Sequence, residues 1–464
     1  MRLPSRTGSL LGAVIALTTL ARLVLAFAFP GFVAGDDVEV LQTGFLRAFG
    51  WPYRPWEIRD LLIPDLLVAP VLRLAAALGV TSTQALVSAA SVPFVLLASL
   101  NVWLVFHLGR RWLGGDRPAL LAAVLYALHW IPLGYGSTVY PRTASTACIL
   151  LAALLLSGES GGFWREGLAG GLVAVAFAER YSEGIFLLPL AIVAGLRGED
   201  WRGRTARAAA VLGGFLGAAL LTSGLGDWLT WGRPFASLAA FARFTLIERR
   251  SSSLVASQPW YWYLWRLPKW LPVTLLPFLW RAGRVRAALP AALCALLPLL
   301  LLSGIHHKEL RYLQGVLPFV FLTAAAGAWA LWEGGRRRVA AALCLLSVAV
   351  GFKGINFLAQ KSMPAVQAAQ ALAGPARGQT VALVQPWAFG GTIYLHPDVQ
   401  VVEIPYPPTA PDLERAAETA RWIAVYRRDL GPDLASVLDR KGFTPAGDFA
   451  WGAGRPVALF AARR

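Results

Sequence analysis

Apolar runs of near-spanning length follow one another through most of this chain, and that succession leaves it few ways to fold. They lie near residues 10–29, 85–107, 119–134, 143–157, 167–179, 184–196, 208–225, 267–281, 288–304, 312–332 and 339–358. A helix needs about 20 mostly apolar residues to cross the hydrocarbon of a bilayer. In that medium every backbone N–H and C=O must be satisfied within the protein, which selects helices for runs of this kind. The 464 residues are 56% hydrophobic and only 15% charged, with mean hydropathy +0.55. The expected class is an all-α polytopic membrane protein with about eleven transmembrane helices. Arg2 and Arg6 ahead of the first run resemble the start of a signal peptide. The run is long for that purpose and more spans follow, so an uncleaved first helix is expected.

The formal charge of +17 invites a nucleic-acid reading, but its distribution argues otherwise. Arginines gather in short loops: Arg110 and Arg111; Arg197, Arg202, Arg204 and Arg207; Arg281, Arg284 and Arg286; Arg336, Arg337 and Arg338. With the N-terminus inside, every cluster falls on the cytoplasmic side, as positive-inside topology requires. No nucleic-acid partner is expected. Cys148, Cys294 and Cys344 all sit in apolar runs and form neither a disulfide framework nor a metal spacing. Four segments then face outward: 31–84, 226–266, 303–312 and the C-terminus. The transmembrane module is expected over 1–358.

From about residue 359 the pattern changes. Thr380–Val384, Val399–Ile404 and Trp422–Tyr426 are short apolar runs bounded by turn residues, the pattern of buried strands. Prolines 405, 407, 408 and 411 precede a helix-like stretch from Asp412 to Thr419. Residues 359–464 are expected to form a small soluble α/β domain on the outer face.

Carboxylates crowd the first outward segment: Asp36, Asp37 and Glu39, then Glu57 and Asp60 with Trp56 and Arg59 between and beside them. Charge held against a bilayer is costly, so such a cluster is a functional-site hypothesis. Its oxygens would suit Mg²⁺, Mn²⁺ or Ca²⁺, but no second ligand cluster accompanies them and no metal or other cofactor is expected. Phosphate-binding loop, dinucleotide, zinc and catalytic-triad patterns are absent, which argues against a nucleotide-sugar donor. Tryptophans 51, 56, 228, 231, 260, 262, 265 and 270 fall in two outward loops among arginines. That composition fits an interfacial aromatic belt. It also fits a site for a sugar, which stacks on aromatic rings, and a lipid phosphate, which a guanidinium grips bidentately.

The order of several motifs resembles one family. Asp36-Asp37 ahead of Trp56-Glu57-Ile58-Arg59 is similar to the first external loop of glycosyltransferase family 22, the lipid-phosphate-mannose-dependent α-mannosyltransferases of N-glycan and GPI-anchor assembly. Gly136-Ser137-Thr138-Val139-Tyr140-Pro141-Arg142-Thr143 sits where that family has a Gly-Thr-Arg-Thr-like turn, and Arg180 follows a span as the family's arginine does. Asp227 with Gly232-Arg233-Pro234, Pro259-Trp260-Tyr261-Trp262-Tyr263 and His307-Lys308-Glu309-Leu310-Arg311-Tyr312 resemble further family elements. Leu383-Val384-Gln385-Pro386 resembles its soluble tail. The chain departs from the pattern at Ala34-Gly35, where the family has His-Pro, at Asp37 for Glu, and at Trp387 for Cys.

The resemblance implies the GT-C fold, a polyprenyl-phosphate sugar donor, and a glycan or glycolipid acceptor at the outer face. Asp36 would be the base, with Asp37 next to it. His306, His307, Lys308, Arg311 and Arg180 would hold the donor phosphate, His307 and Arg311 sharing one face at helical spacing. Glu309 would orient a cation. Trp56, Glu57, Arg59, Arg142, Asp227, Trp260, Tyr261, Trp262 and Tyr263 would contact substrate. Three other readings remain open: a lipid or solute transporter or flippase, a GT-C glycosyltransferase that uses a different polyprenyl-phosphate sugar, and a non-catalytic subunit that kept the fold. Transporters carry charged or broken spans at the midplane, and these spans are expected to be almost free of charge. Few Cys, Lys and Met beside many Ala, Arg and Leu fit a bacterial cytoplasmic membrane protein with an outward-facing site; in a eukaryote the same site would face the ER lumen.

Overall fold

A computed structural model describes residues 6–29, 35–56, 62–158, 162–248, 257–355, 361–452 and 454–463. Helices occupy nearly every apolar run read from the sequence: Arg6–Ala28, Thr83–Leu113, Asp116–Leu128, Pro141–Leu156, Trp164–Glu179, Leu187–Gly195, Trp201–Ala219, Leu276–Ala282, Leu289–Gly304, Leu317–Glu333 and Arg337–Phe352. Four segments among the described residues are long and apolar enough to cross a membrane: Arg6–Ala28, Thr83–Leu113, Trp201–Trp231 and Arg286–Gly304. Thr83–Leu113, at 31 residues, is about 46 Å long by helical rise. It ends where Gly114 takes a left-handed φ of 72°, a cap that only glycine adopts without strain.

Small residues let some helices touch backbone to backbone. A Cβ on Gly170 would fall on the carbonyl of Val211, and one on Gly214 on the carbonyl of Gly167. These glycines therefore fix the crossing of Trp164–Glu179 with Trp201–Ala219, the close approach that small residues permit between membrane helices.

The elements depart from the sequence reading in three places. The run expected to end at residue 225 continues through a π-helical turn, Leu220–Leu225, into Gly226–Trp231, so the outward segment starts later. The run expected from 312 becomes a helix only at Leu317 and is preceded by a 3₁₀ turn, Leu310–Leu313. The spans also hold an unexpected charge, because Arg22 in the first helix is fully buried and its guanidinium has no hydrogen-bond partner among the described residues.

The C-terminal region is a five-stranded sheet in the order β2-β1-β3-β5-β4. β1 (Thr380–Val384) pairs parallel with β2 (Gln400–Ile404) and β3 (Trp422–Tyr426); β5 (Val457–Ala462) pairs antiparallel with β3 and with β4 (Phe443–Phe449). β2 and β3 flank β1 and run parallel to it, and the chain passes from one to the other through the crossover helix Ala410–Thr419.

Two large cores result. One joins the bundle helices around residues such as Val105, Leu150, Phe186, Phe278 and Phe319. The other unites the helix Gly35–Phe49 with the C-terminal sheet: its Val40, Leu41 and Phe45 belong to the same cluster as Val366, Leu383 and Ile423. Gln42 Nε2 donates to Thr392 Oγ1 at 3.2 Å. Gly391, at a left-handed φ of 60°, leaves room for the Gln42 side chain. The helix that carries the acid pair and the C-terminal sheet thus share one core, which also takes in Val139 of the bundle.

Candidate active site

The helix Gly35–Phe49 places Asp36 and Asp37 in its first turn, where unpaired backbone N–H groups favour negative charge. Both are buried, at 1% and 0% exposure. Two arginines from distant segments close on Asp36. Arg180, just past the helix Trp164–Glu179, pairs with its Oδ2, and Arg311 brings Nη1 to 3.6 Å of the same oxygen.

Arg311 in turn grips Glu309: Nη2 donates to Oε1 at 2.9 Å and Nε lies against Oε2. His307 Nε2 sits 3.0 Å from Glu309 Oε1. His307 and Arg311 do converge, but not through helical spacing. Glu309 is extended, at φ −140° and ψ 149°, so the carboxylate between them is what gathers the two side chains. Burial pushes Glu309 up, and Arg311 with the hydrogen bond and charge of His307 outweighs it, leaving its pKa below the ordinary value. Burial likewise opposes the charge on Arg311, and Asp36 and Glu309 more than restore it.

Arg142 forms a second pair beside the first. It bonds Glu183 and donates from Nη2 to Ser182 Oγ at 2.8 Å. Its guanidinium lies 4.5 Å above the ring of Tyr312, which Arg311 approaches at 5.9 Å. Tyr312 is therefore a plate between two cations.

Other expected contacts take different places. Lys308 is buried and turned inward: Nζ donates to Gln258 O at 3.0 Å and also to Ile305 O. It staples two loops rather than facing a ligand. His306 is exposed, with Nδ1 at 3.5 Å from Ser257 Oγ. Asp227 is fully buried and accepts from Ser237 N at 2.8 Å and Ser237 Oγ at 2.6 Å, while Tyr181 bonds that hydroxyl. Asp227 thus braces, through Ser237, the residue next to Arg180. Trp260 and Tyr261 are exposed, Trp262 is half-buried, and Tyr263 is buried with its hydroxyl donating to Glu309 O at 3.3 Å. Trp56 is exposed, its backbone N–H bonded to Glu39 Oε1 at 3.0 Å and its ring edge-on to Phe244. Glu57 and Arg59 lie outside the described residues.

Three neighbours were not singled out from the sequence. Glu183 lies only three residues beyond Arg180. Tyr140 lies inside the motif that supplied Arg142. Lys361 arrives from the C-terminal body; burial, then Arg311, lowers its pKa, while Glu309 and Asp37 act the other way. Among the described residues no group of three or more His, Cys, Asp or Glu is placed to hold a metal ion.

The Alg9-like mannosyltransferase family matches residues 49–366, which include Arg142, Arg180, Glu309 and Arg311. The chain belongs to that family. GPI mannosyltransferase 3 of Drosophila melanogaster is 25% identical over 337 residues, 68% of this chain and 57% of the relative. The same-named protein of Yarrowia lipolytica is 25% identical over 330 residues, 67% of this chain and 61% of its own length. The chain therefore spans about three fifths of these relatives. Both are eukaryotic, and they lend no support to placement in a bacterial inner membrane. The crystal structure of ArnT from Cupriavidus metallidurans bound to undecaprenyl phosphate superposes with a TM-score of 0.65 at 14% identity, covering 98% of each chain. The GT-C fold and a multi-pass membrane character follow for this family member. The acid pair lies ahead of the family match, so its place in the site rests on the two arginines that reach it.

Proposed function

We propose that this member of the Alg9-like family is an integral-membrane glycosyltransferase that moves mannose from a polyprenyl-phosphate donor to a hydroxyl of a glycan or glycolipid. Transfer would be inverting and would occur at the face opposite the arginine-rich loops. Eleven spans, a cytoplasmic N-terminus and an external C-terminal body complete the reading. One observation carries it: Arg180 and Arg311, from separate segments, both close on the buried carboxylate of Asp36.

The cluster is near charge balance, with Arg142, Arg180, Arg311 and Lys361 against Asp36, Asp37, Glu183 and Glu309. A lipid phosphate can enter only if cations change partners. Guanidinium groups bind phosphate through two parallel N–H···O bonds, so the arriving donor draws Arg180 and Arg311 from Asp36. That exchange frees the carboxylate as the leaving group is gripped. Asp36 then accepts the proton of the attacking hydroxyl. The C1–O bond to phosphate breaks as the new glycosidic bond forms, and the arginines stabilise the departing phosphate charge. A single displacement of this kind inverts the anomeric centre.

Reconstitution with radiolabelled polyprenyl-phosphate mannose and a panel of glycan and glycolipid acceptors tests the activity. Label in an acceptor is expected from the lipid donor and not from a nucleotide sugar; the reverse pattern contradicts the reading. Reporter fusions at Arg338 and Arg464 are expected on opposite sides of the membrane, and the same sidedness at both contradicts the eleven-span topology.

A further inference from the structure

Tyr140 is held rigidly and left unsatisfied. It caps the helix Pro141–Leu156, its carbonyl accepts from Thr143 N at 3.0 Å, and its ring lies 4.7 Å from that of Tyr135. The side chain is fully buried, yet its hydroxyl has no hydrogen-bond partner among the described residues. Two residues on, Nε of the buried Arg142 is equally without a partner. A buried polar group with no partner is costly, and native proteins keep few of them.

The surroundings say what would satisfy this pair. The charges acting on Tyr140 are Arg142, Arg311, Asp36 and Arg180, three cations and one anion. Burial, the largest influence, pushes the phenol well above its ordinary pKa, and the arginines only partly offset it. The hydroxyl therefore stays protonated and acts as a donor. Two unused donors amid three guanidinium groups match an oxyanion. A phosphate oxygen carries charge that the arginines also stabilise, and it accepts from both donors at once.

We propose that Tyr140 Oη and Arg142 Nε are ligands of the donor lipid's phosphate, each donating a hydrogen bond to a non-bridging oxygen beside Arg180 and Arg311. This rests on the polyprenyl-phosphate reading above. Tyr140 adds what arginines lack, a short neutral donor fixed by ring packing. It can hold the phosphate oxygen without drawing a further carboxylate into the site, and an O–H···O⁻ bond is among the stronger hydrogen bonds.

The experiment uses full-length protein in detergent with a polyprenyl monophosphate as the probe, read by thermal shift, together with turnover on the polyprenyl-phosphate sugar. Tyr140→Phe keeps the ring packed and removes only the unsatisfied hydroxyl. Its ligand-free Tm is expected to equal or exceed wild type, while polyprenyl phosphate affinity and kcat/KM fall roughly 10- to 100-fold. Tyr126→Phe removes a buried hydroxyl outside the arginine cluster and is expected to leave probe binding and turnover unchanged. If wild type is not stabilised by the probe, the phosphate reading itself falls. If wild type responds and Tyr140→Phe responds equally with equal turnover, the ligand assignment alone is overturned. A Tyr140→Phe protein with lowered ligand-free Tm and unchanged turnover also overturns it, since the hydroxyl is then structural.

Discussion

Two buried carboxylates in this molecule are each embraced by two arginines. Asp36 meets Arg180 and Arg311, and Glu166, at 0% exposure, meets Arg207 at 2.5 Å and Arg197 at 3.3 Å. The difference lies in what each cluster leaves unused. Around Glu166 the spare group is an acceptor, Oε2, beside arginines whose side chains remain 19% and 26% exposed. Water or a neighbouring headgroup can meet that need. Around Asp36 the spare groups are buried donors, Tyr140 Oη and Arg142 Nε, and a second carboxylate, Asp37, stands beside the first. The partners also differ in reach. Arg207 is 41 residues from Glu166 and ties Trp164–Glu179 to Trp201–Ala219, whereas Arg180 is 144 residues from Asp36. A buried acid between arginines is thus no site in itself. Surplus donors, assembled from remote segments, distinguish the Asp36 cluster from the Glu166 staple.

The largest expected effect is loss of both cations that reach Asp36. Arg180→Ala with Arg311→Ala should lower kcat/KM by roughly 10³-fold or more, with single replacements near roughly 10²-fold. The two share one carboxylate and so should not be additive. Arg311→Lys should restore only part of the activity, because an ammonium cannot reproduce the fork. Full activity in Arg311→Lys would reduce Arg311 to a headgroup contact and erase the contrast with Arg197 and Arg207. Steady-state kinetics on the lipid donor decides this.

The Glu166 cluster should answer differently. Glu166→Gln should cost about 1–3 kcal/mol of stability, less than a fully dry pair because water reaches both arginines, and leave kcat unchanged. Denaturation and turnover of one purified preparation measure both. A tenfold loss of kcat at unchanged stability would place Glu166 in the functional machinery and erase the contrast.

Much of this contrast was legible in the sequence, and the reasons differ by residue. Asp36, Arg180 and Arg311 stand out because charge is rare in an apolar chain and theirs lies away from the arginine-rich loops. That they touch is a long-range fact which no periodicity encodes. Lys308 stands out for the same reason as the arginines, but that its ammonium meets the carbonyls of Gln258 and Ile305 is a local packing fact that the motif does not carry. Tyr140 carries no charge, and its interest arises from an unsatisfied hydroxyl that only packing reveals. In the C-terminal body, β1 and β3 are unbroken apolar runs and read easily. β4 contains Pro445 and Gly447 with a register shift between them and alternates in burial, so its pattern resembles a loop. The shared core of the acid helix and the sheet was likewise hidden, since it joins residues more than three hundred positions apart.

The smallest expected effect concerns Glu309. Its pKa is depressed from the ordinary 4.5, so its pairing stabilises the fold fully above that value and is lost as pH falls through the lowered one. The Tm difference between wild type and Glu309→Gln should be constant from pH 8 to about 5 and shrink only in more acid solution. A difference that shrinks already between pH 8 and 6 would mean that Glu309 is not held by Arg311 and His307.

The central claim is that Asp36 is the base, released when the donor phosphate draws away its arginines. Single-turnover transfer by Asp36→Asn, with polyprenyl phosphate binding measured on the same preparation, tests it most directly. An amide keeps the shape but cannot take the proton, so the chemical step should slow by roughly 10²- to 10⁴-fold. Phosphate binding should be retained or tightened, because the arginines no longer have to leave a carboxylate. Near-wild-type turnover in Asp36→Asn, or a collapse of phosphate binding with it, would contradict the account.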